Sequence, residues 1–234
     1  MKQNAFIKKH IYSRIEALFA GRISPVNLER MRNAPGLLNL SGERRVVTIL
    51  YLEPRRSTFA HEALTPEQWS QYLNTYLTLV TDVIHEIGGM VLGYEGTKVT
   101  ACWGAPLKSN DAALNACRAV LLIKEQLTRL NEDLADRELP DILPLFALST
   151  EEVFAGDYGS EQMPQYSLLG DYRYIHHAMI KLCYDSSTNI LVTEHTRKAA
   201  GDGFDFQPLV ETVRKKGFTE FIPIYELKGE RHAD

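Results

Sequence analysis

The 234 residues predict an α+β fold, on three observations. Segments rich in β-branched residues alternate with segments whose apolar residues recur every three or four positions. Cap and turn residues separate them at short intervals. The central order is strand, helix, strand, strand, helix, strand. That is the order of a ferredoxin-like βαββαβ sheet with helices packed on one face, here preceded by an N-terminal helical segment and followed by an α/β C-terminal extension. The division is residues 1–43 for the helical and linker segment and 44–234 for the main domain.

Ile7, Ile11, Ile15, Leu18 and Phe19 lie at spacings of three or four and mark a helix from about Ala5 to Phe19. Its stripe fits a helix pairing across a dimer as well as one packed on its own domain. Gly21 ends it. Ser24-Pro25 then opens a short helix to about Arg32, with Ser at the N-cap and Pro at N1. Asn33 to Glu43 reads as a linker. Arg45–Leu52 (RVVTILYL) is a strand that Pro54 stops. Thr65-Pro66-Glu67-Gln68 is a capping box. The helix it opens aligns Trp69, Leu73, Tyr76, Val80, Val83, Ile84 and Ile87, with Gly88-Gly89 at its C-terminal end. The aromatic stripe Trp69, Tyr72, Tyr76 reads as core and interface.

Two strands follow, Met90–Tyr94 and Lys98–Trp103, with Gly96 at the turn. A helix begins at Asn110-Asp111 and runs to about Ala135. Separate short strands are expected at Leu145–Leu148, Glu152–Ala155 and Tyr166–Leu169. Gly170-Asp171 leads into a helix reaching Tyr184. Asn189–Val192 is a strand and Thr193–Ala200 a helix. Phe204–Val213 and Phe221–Leu227 form a closing strand pair.

Composition excludes several classes. With 44% hydrophobic and 24% charged residues the chain is globular, not disordered, and a net charge of −4 gives no basic surface for nucleic acid. No apolar run approaches the roughly 20 residues of a membrane span, so no membrane contact is expected of this segment. Cys102, Cys117 and Cys183 have no CxxC spacing, and the start lacks a signal-peptide pattern, which predicts buried thiols in a cytoplasmic setting.

Specific residues then carry a resemblance. Arg45–Phe59 (RVVTILYLEPRRSTF), Gly88-Gly89, Tyr94–Pro106 (YEGTKVTACWGAP), Asp111–Leu114, Val153–Ser160 (VFAGDYGS), Tyr166–Asp171 (YSLLGD) and Lys216-Gly217 with Pro223–Leu227 (PIYEL) occur in order. Together they resemble the class III adenylate and guanylate cyclase catalytic domain, in a degenerate bacterial form, over about Glu43 to Lys228. Ile23–Arg45 resembles the lead-in of bacterial cyclases that follow a membrane or sensor region. The resemblance therefore implies a cytoplasmic domain, including one belonging to a membrane-anchored protein.

The family cyclises a nucleoside triphosphate by attack of the ribose 3′ oxygen on the α-phosphate, with two metal ions held by two aspartates. By the resemblance, Glu53 stands at the first aspartate and Thr97 at the second. Glutamate is one methylene longer, magnesium demands near-octahedral geometry, and a threonine hydroxyl does not replace a bridging carboxylate. Glu95 lies two residues before Thr97, and strand alternation places it on the same side. Gly93 replaces the purine-reading lysine and Ser167 stands at its partner. Tyr174 occupies the position of the transition-state asparagine. Ala178 occupies that of the phosphate-clamping arginine, whose loss costs on the order of 10³ or more in rate. Lys216 is the remaining phosphate lysine.

No catalytic set is intact, and Glu53 reads more readily as a solvated carboxylate than as a metal ligand. The expectation is a catalytically inactive domain acting as a dimerising signal-transduction or regulatory module, as a homodimer or beside another cyclase-type domain. No cofactor is expected. One alternative is an active cyclase making cAMP or cGMP from ATP or GTP with Mg or Mn on an atypical Glu53 and Glu95 set. Another is a nucleotide sensor binding ATP or GTP through Lys216 and Ser167 without turnover. Arg55-Arg56 and Lys215-Lys216 read as exposed basic pairs, and His176-His177 as helix-surface histidines. Tyr172, Arg173 and Tyr174 are expected to fill the nucleotide site with bulk.

Overall fold

A computed structural model of the chain describes residues 2–55, 57–214 and 221–231, and their side chains except at residues 2–10 and 57–59. Arg56, Lys215 and Lys216 lie outside the described residues, as does the side chain of Ile7. The elements are α1 (Lys2–Phe19), α2 (Pro25–Asn33), β1 (Glu43–Arg55), α3 (Ser57–Ala63), α4 (Pro66–Glu86), β2 (Met90–Glu95) and β3 (Lys98–Trp103). They continue as α5 (Ala112–Ala135), β4 (Leu143–Gly159), β5 (Pro164–Leu169), α6 (Tyr172–Asp185), β6 (Ile190–Thr193), α7 (Glu194–Ala200), β7 (Phe204–Arg214) and β8 (Phe221–Glu230).

One sheet holds the strands in the order β2-β3-β1-β4-β6-β8-β7, with β5 paired to β4 off this path. Its first four strands have the ferredoxin-like order, and the extension adds β6 in parallel to β4 and the β7–β8 pair. Alternation along β1 builds a core on each face. Leu50 and Leu52 meet Tyr76, Val80 and Ile84 of α4 and Ala116, Val120 and Ile123 of α5. On the other face Val47 and Ile49 meet Ile15, Leu18 and Phe19 of α1 and Met31 of α2. Further along that face Tyr51, Leu145 and Ala147 meet Ile175, Met179 and Cys183 of α6. The N-terminal stripe from Ile11 onward is thus packed on its own domain.

Local signals account for several boundaries. Ser24 caps α2 by accepting from Asn27 N. Thr65 and Gln68 form the reciprocal capping box of α4. Gly96 has φ +62°, so the β2–β3 turn needs its freedom.

Three expectations are corrected. Pro54 does not stop β1, which continues to Arg55. Pro54 stands opposite Pro144, so two residues without N–H share a pairing position that requires no ladder bond. The strands expected at Leu145–Leu148 and Glu152–Ala155 are one 17-residue strand. The polar Ser149 and Thr150 between them find partners in His176 of α6 and Thr48 of β1. Helix α3, and a short 3-10 turn at Pro35–Leu37, fall where only linker was expected.

Candidate functional site

The β1–β3 ladder pairs Leu52 with Val99, which brings the ends carrying Glu53 and Lys98 side by side. The Glu53 side chain is 19% exposed, and its Oε2 lies 3.7 Å from Lys98 Nζ. Tyr51 Oη donates to Glu53 Oε2 at 3.3 Å, and Tyr184 Oη of α6 donates to Oε1 at 3.4 Å. Burial lowers the Lys98 pKa, but Glu53, Tyr51 and Glu95 together outweigh it and hold the ammonium above the ordinary lysine value. Burial, then the Glu53 charge, raises both Tyr51 and Tyr184. Glu53 is therefore a carboxylate with its own cation, facing α6.

Thr97 faces elsewhere. It lines a small crevice with Pro54, Tyr76 and Ile142 beside α4. Glu95 instead lines the cleft on the α6 side. The expected same-side placement of Glu95 and Thr97 fails because the turn at Gly96, with its positive φ, interrupts strand alternation. Thr97 lines that crevice beside Pro54 and brings a hydroxyl, not a carboxylate. Among the described residues no three His, Cys, Asp or Glu side chains gather to hold a metal ion. Glu53 and Thr97 supply one carboxylate where a two-metal site takes two, so this pair does not fit it.

Gly93 and Ser167 do come together. With Tyr51, Glu95, Thr100, Arg173 and His177 they line an open cleft of about 400 Å³. A Cβ on Gly93 would meet nothing within 4 Å, so no neighbour crowds this position of the cleft wall. Arg173 is the cleft's cation. The neighbouring Tyr172 hydroxyl, and more distantly Glu95, raise its pKa.

Of the bulky residues expected to fill this space, Tyr172 and Arg173 line the cleft and leave it open, while Tyr174 lies outside it. Tyr172 is a buried part of the cleft wall and donates to Leu168 O at 3.4 Å. Tyr174 is half exposed and is not part of the cleft lining. Ala178, one turn on, packs against the core under α6.

His176 is also corrected. It is buried, not on the helix surface, with Nε2 2.9 Å from Ser149 Oγ. The inward face of α6 runs through Tyr172, Ile175, His176, Met179 and Cys183, which places it toward the sheet. Burial, then the neighbouring His177, pushes its pKa down to about 3, so the imidazole is neutral. His177 lines the cleft edge-on to Tyr51. Arg55 is not a free phosphate ligand: it donates to Cys183 O at 2.5 Å and lies over the Tyr184 ring. Trp69 stacks on Tyr72, while Tyr76 is core.

Two residues that sequence reasoning passed over shape this region, Lys98 and Arg22. Lys98 could have been found as the neighbour of Glu53 once the ferredoxin-like order set β1 beside β3. Arg22 donates to Leu92 O and Tyr166 O, a long-range contact with no sequence signal.

No protein-family model matches the chain. It is 27% identical over 186 residues to Adenylate cyclase 1 of Rhizobium meliloti (strain 1021), covering 80% of this chain and 28% of that protein. An adenylate cyclase of Anabaena cylindrica is 26% identical over 217 residues, 90% of this chain and 41% of its own. The chain thus spans less than half the length of these relatives. The solved guanylyl cyclase Cya2 aligns at 29% identity and TM-score 0.69, over 81% of this chain and 95% of that one. The adenylyl cyclase CyaB from P. aeruginosa shares the fold, with TM-score 0.73 at 19% identity over 81% and 97% of the two chains.

Proposed function

From the premise that this chain carries a class III adenylate/guanylate cyclase homology domain, we propose that it is catalytically silent and works as a dimerising signal-transduction or regulatory module. One observation carries the proposal: the Lys98 ammonium is the cation at Glu53, while Thr97 faces another crevice and offers no carboxylate. The family's chemistry develops negative charge on the α-phosphate and needs two positioned metal ions to neutralise it. A divalent cation binding at Glu53 would have to displace the Lys98 ammonium, and Thr97 offers it no bridging carboxylate. Ala178 compounds this, because no guanidinium extends from its position.

Dimerisation is supported by uncovered apolar side chains on one face of the sheet. Phe154 of β4 and Leu169 of β5 are register partners, Val46 of β1 lies diagonally across from Phe154, and all three are exposed. A second reading, nucleotide binding without turnover, is favoured by the open cleft at Gly93 and by Arg173. Lys216 is a further phosphate contact in that reading.

The test is a product assay with ATP and GTP, under magnesium or manganese, alongside thermal shift. Wild-type protein is expected to give no cyclic nucleotide. Product that disappears in Glu53→Ala would overturn the proposal. A saturable thermal shift without product selects the sensor reading. Sedimentation of wild type against Phe154→Asp tests the dimer, which is expected to weaken in the variant.

A further inference from the structure

The turn between α1 and α2 reaches the cleft through one side chain. Arg22 Nη2 donates to Leu92 O at 2.5 Å and Nη1 to Tyr166 O at 3.2 Å. Its own carbonyl accepts from Val91 N at 2.8 Å. Leu92 and Tyr166 immediately precede Gly93 and Ser167, which stand in the two walls of the cleft. Those walls belong to β2, at one end of the sheet, and β5, which pairs with β4. No strand ladder joins β2 to β5 among the described residues. The guanidinium spans them instead, using the fixed fork of its donors, which a lysine ammonium lacks.

The same helix grips the β5 side twice more. Phe19 stacks against Tyr166 at 5.1 Å, and Arg14 Nε donates to Asp157 Oδ2 at 2.9 Å. Burial lowers the Arg22 pKa, and the groups acting on its charge include no carboxylate. It is thus a cation inserted for its geometry toward carbonyls and not for an ion pair.

We infer that Arg22 is a positioning residue that sets the spacing between the two cleft walls, so that displacement of the α1–α2 turn changes what the cleft admits. The inference rests on the cleft being the regulated site of the proposed function. The spacing itself is measurable without any ligand.

Spin labels on Glu95→Cys and Gln165→Cys, at exposed positions on opposite walls, report that spacing by double electron–electron resonance. The native cysteines are buried. Ligand-free wild type is expected to give one narrow distance distribution. Arg22→Met is expected to shift it to longer distance and broaden it. Arg22→Lys, which keeps the charge and loses the fork, is expected to broaden it as well, and it carries the test if Arg22→Met does not fold. Arg14→Ala loosens α1 but leaves the fork, and its distribution is expected to match wild type. Superimposable distributions for wild type and Arg22→Lys would overturn the inference. An equal shift in Arg14→Ala would overturn it too, by assigning the effect to helix docking in general. Because no nucleotide is present, a negative result here leaves the catalytic reading untouched, and cyclic nucleotide production leaves this result standing.

Discussion

Lowering the pH from 7 to 5 is expected to remove about 2 kcal/mol of stability through the imidazole of His176. The ring is buried against Ser149, with Tyr51, Tyr172 and His177 around it. Burial first, and His177 second, push its folded pKa from 6.5 down to about 3. Between those values the unfolded chain binds the proton and the native state does not, so stability rises with pH. The contribution is complete above about pH 6.5, falls steadily with acidification, and is fully lost near pH 3. Its whole span, at 1.36 kcal/mol per pH unit, is about 5 kcal/mol. The figure at pH 5 depends only on the native ring staying neutral there. Urea unfolding of wild type and His176→Gln at both pH values isolates it, since carboxylates contribute equally to both proteins. Wild type is expected to lose about 2 kcal/mol more than the variant on acidification. Parallel pH profiles, or an NMR titration of His176 centred near 6.5, would refute the reasoning. Function follows the same helix, because α6 carries Arg173 and His177 into the cleft.

Gly89→Ala is expected to destabilise the fold by about 1–3 kcal/mol through overpacking. Its Cβ would lie 2.7 Å from Trp103 Cε2 and 2.8 Å from Ile84 Cγ2, and Trp103 is held in place by donating to Ile87 O at 3.1 Å. An unchanged Tm would show that the Trp103 pocket has slack. Cys102, Cys117 and Cys183 are buried, and burial pushes each thiol up to about 12. Ellman's reagent is therefore expected to react slowly with native protein and promptly with all three after denaturation. Rapid labelling of the native state would contradict that packing.

The legible parts of the fold were those written in local chemistry. The Thr65–Gln68 box, the Ser24 cap and the Gly96 turn each satisfy or bend the backbone within four residues, so spacing alone reveals them. What misled was chemistry completed at a distance. Ser149 and Thr150 look like a break between strands until His176 and Thr48 supply their partners from 27 and 102 residues away. Pro54 looks like a stop until Pro144 faces it. His176 looks like a surface residue because nothing nearby in sequence predicts a buried acceptor or donor. At the site, residue identities at Glu53, Gly93 and Ser167 were readable by position. Their assembly was not: strand alternation put Glu95 and Thr97 together, and the turn between them separates them. Tyr174 was misplaced for a similar reason, since one step along a helix turns a side chain through about 100° and out of a cleft.

The long β4 strand has a mechanical consequence. At about 3.3 Å per residue its 17 residues span roughly 55 Å. β1 pairs with it from Leu143 to Ala155 and β6 with Phe146–Leu148, so only Gly156–Gly159 extend outward with β5 as a two-stranded arm. Asp157, which α1 grips through Arg14, lies on that arm, and the same strand carries Ser149 to His176. One continuous backbone therefore links the contact of α1 at Asp157 to α6, whose Arg173 and His177 line the cleft.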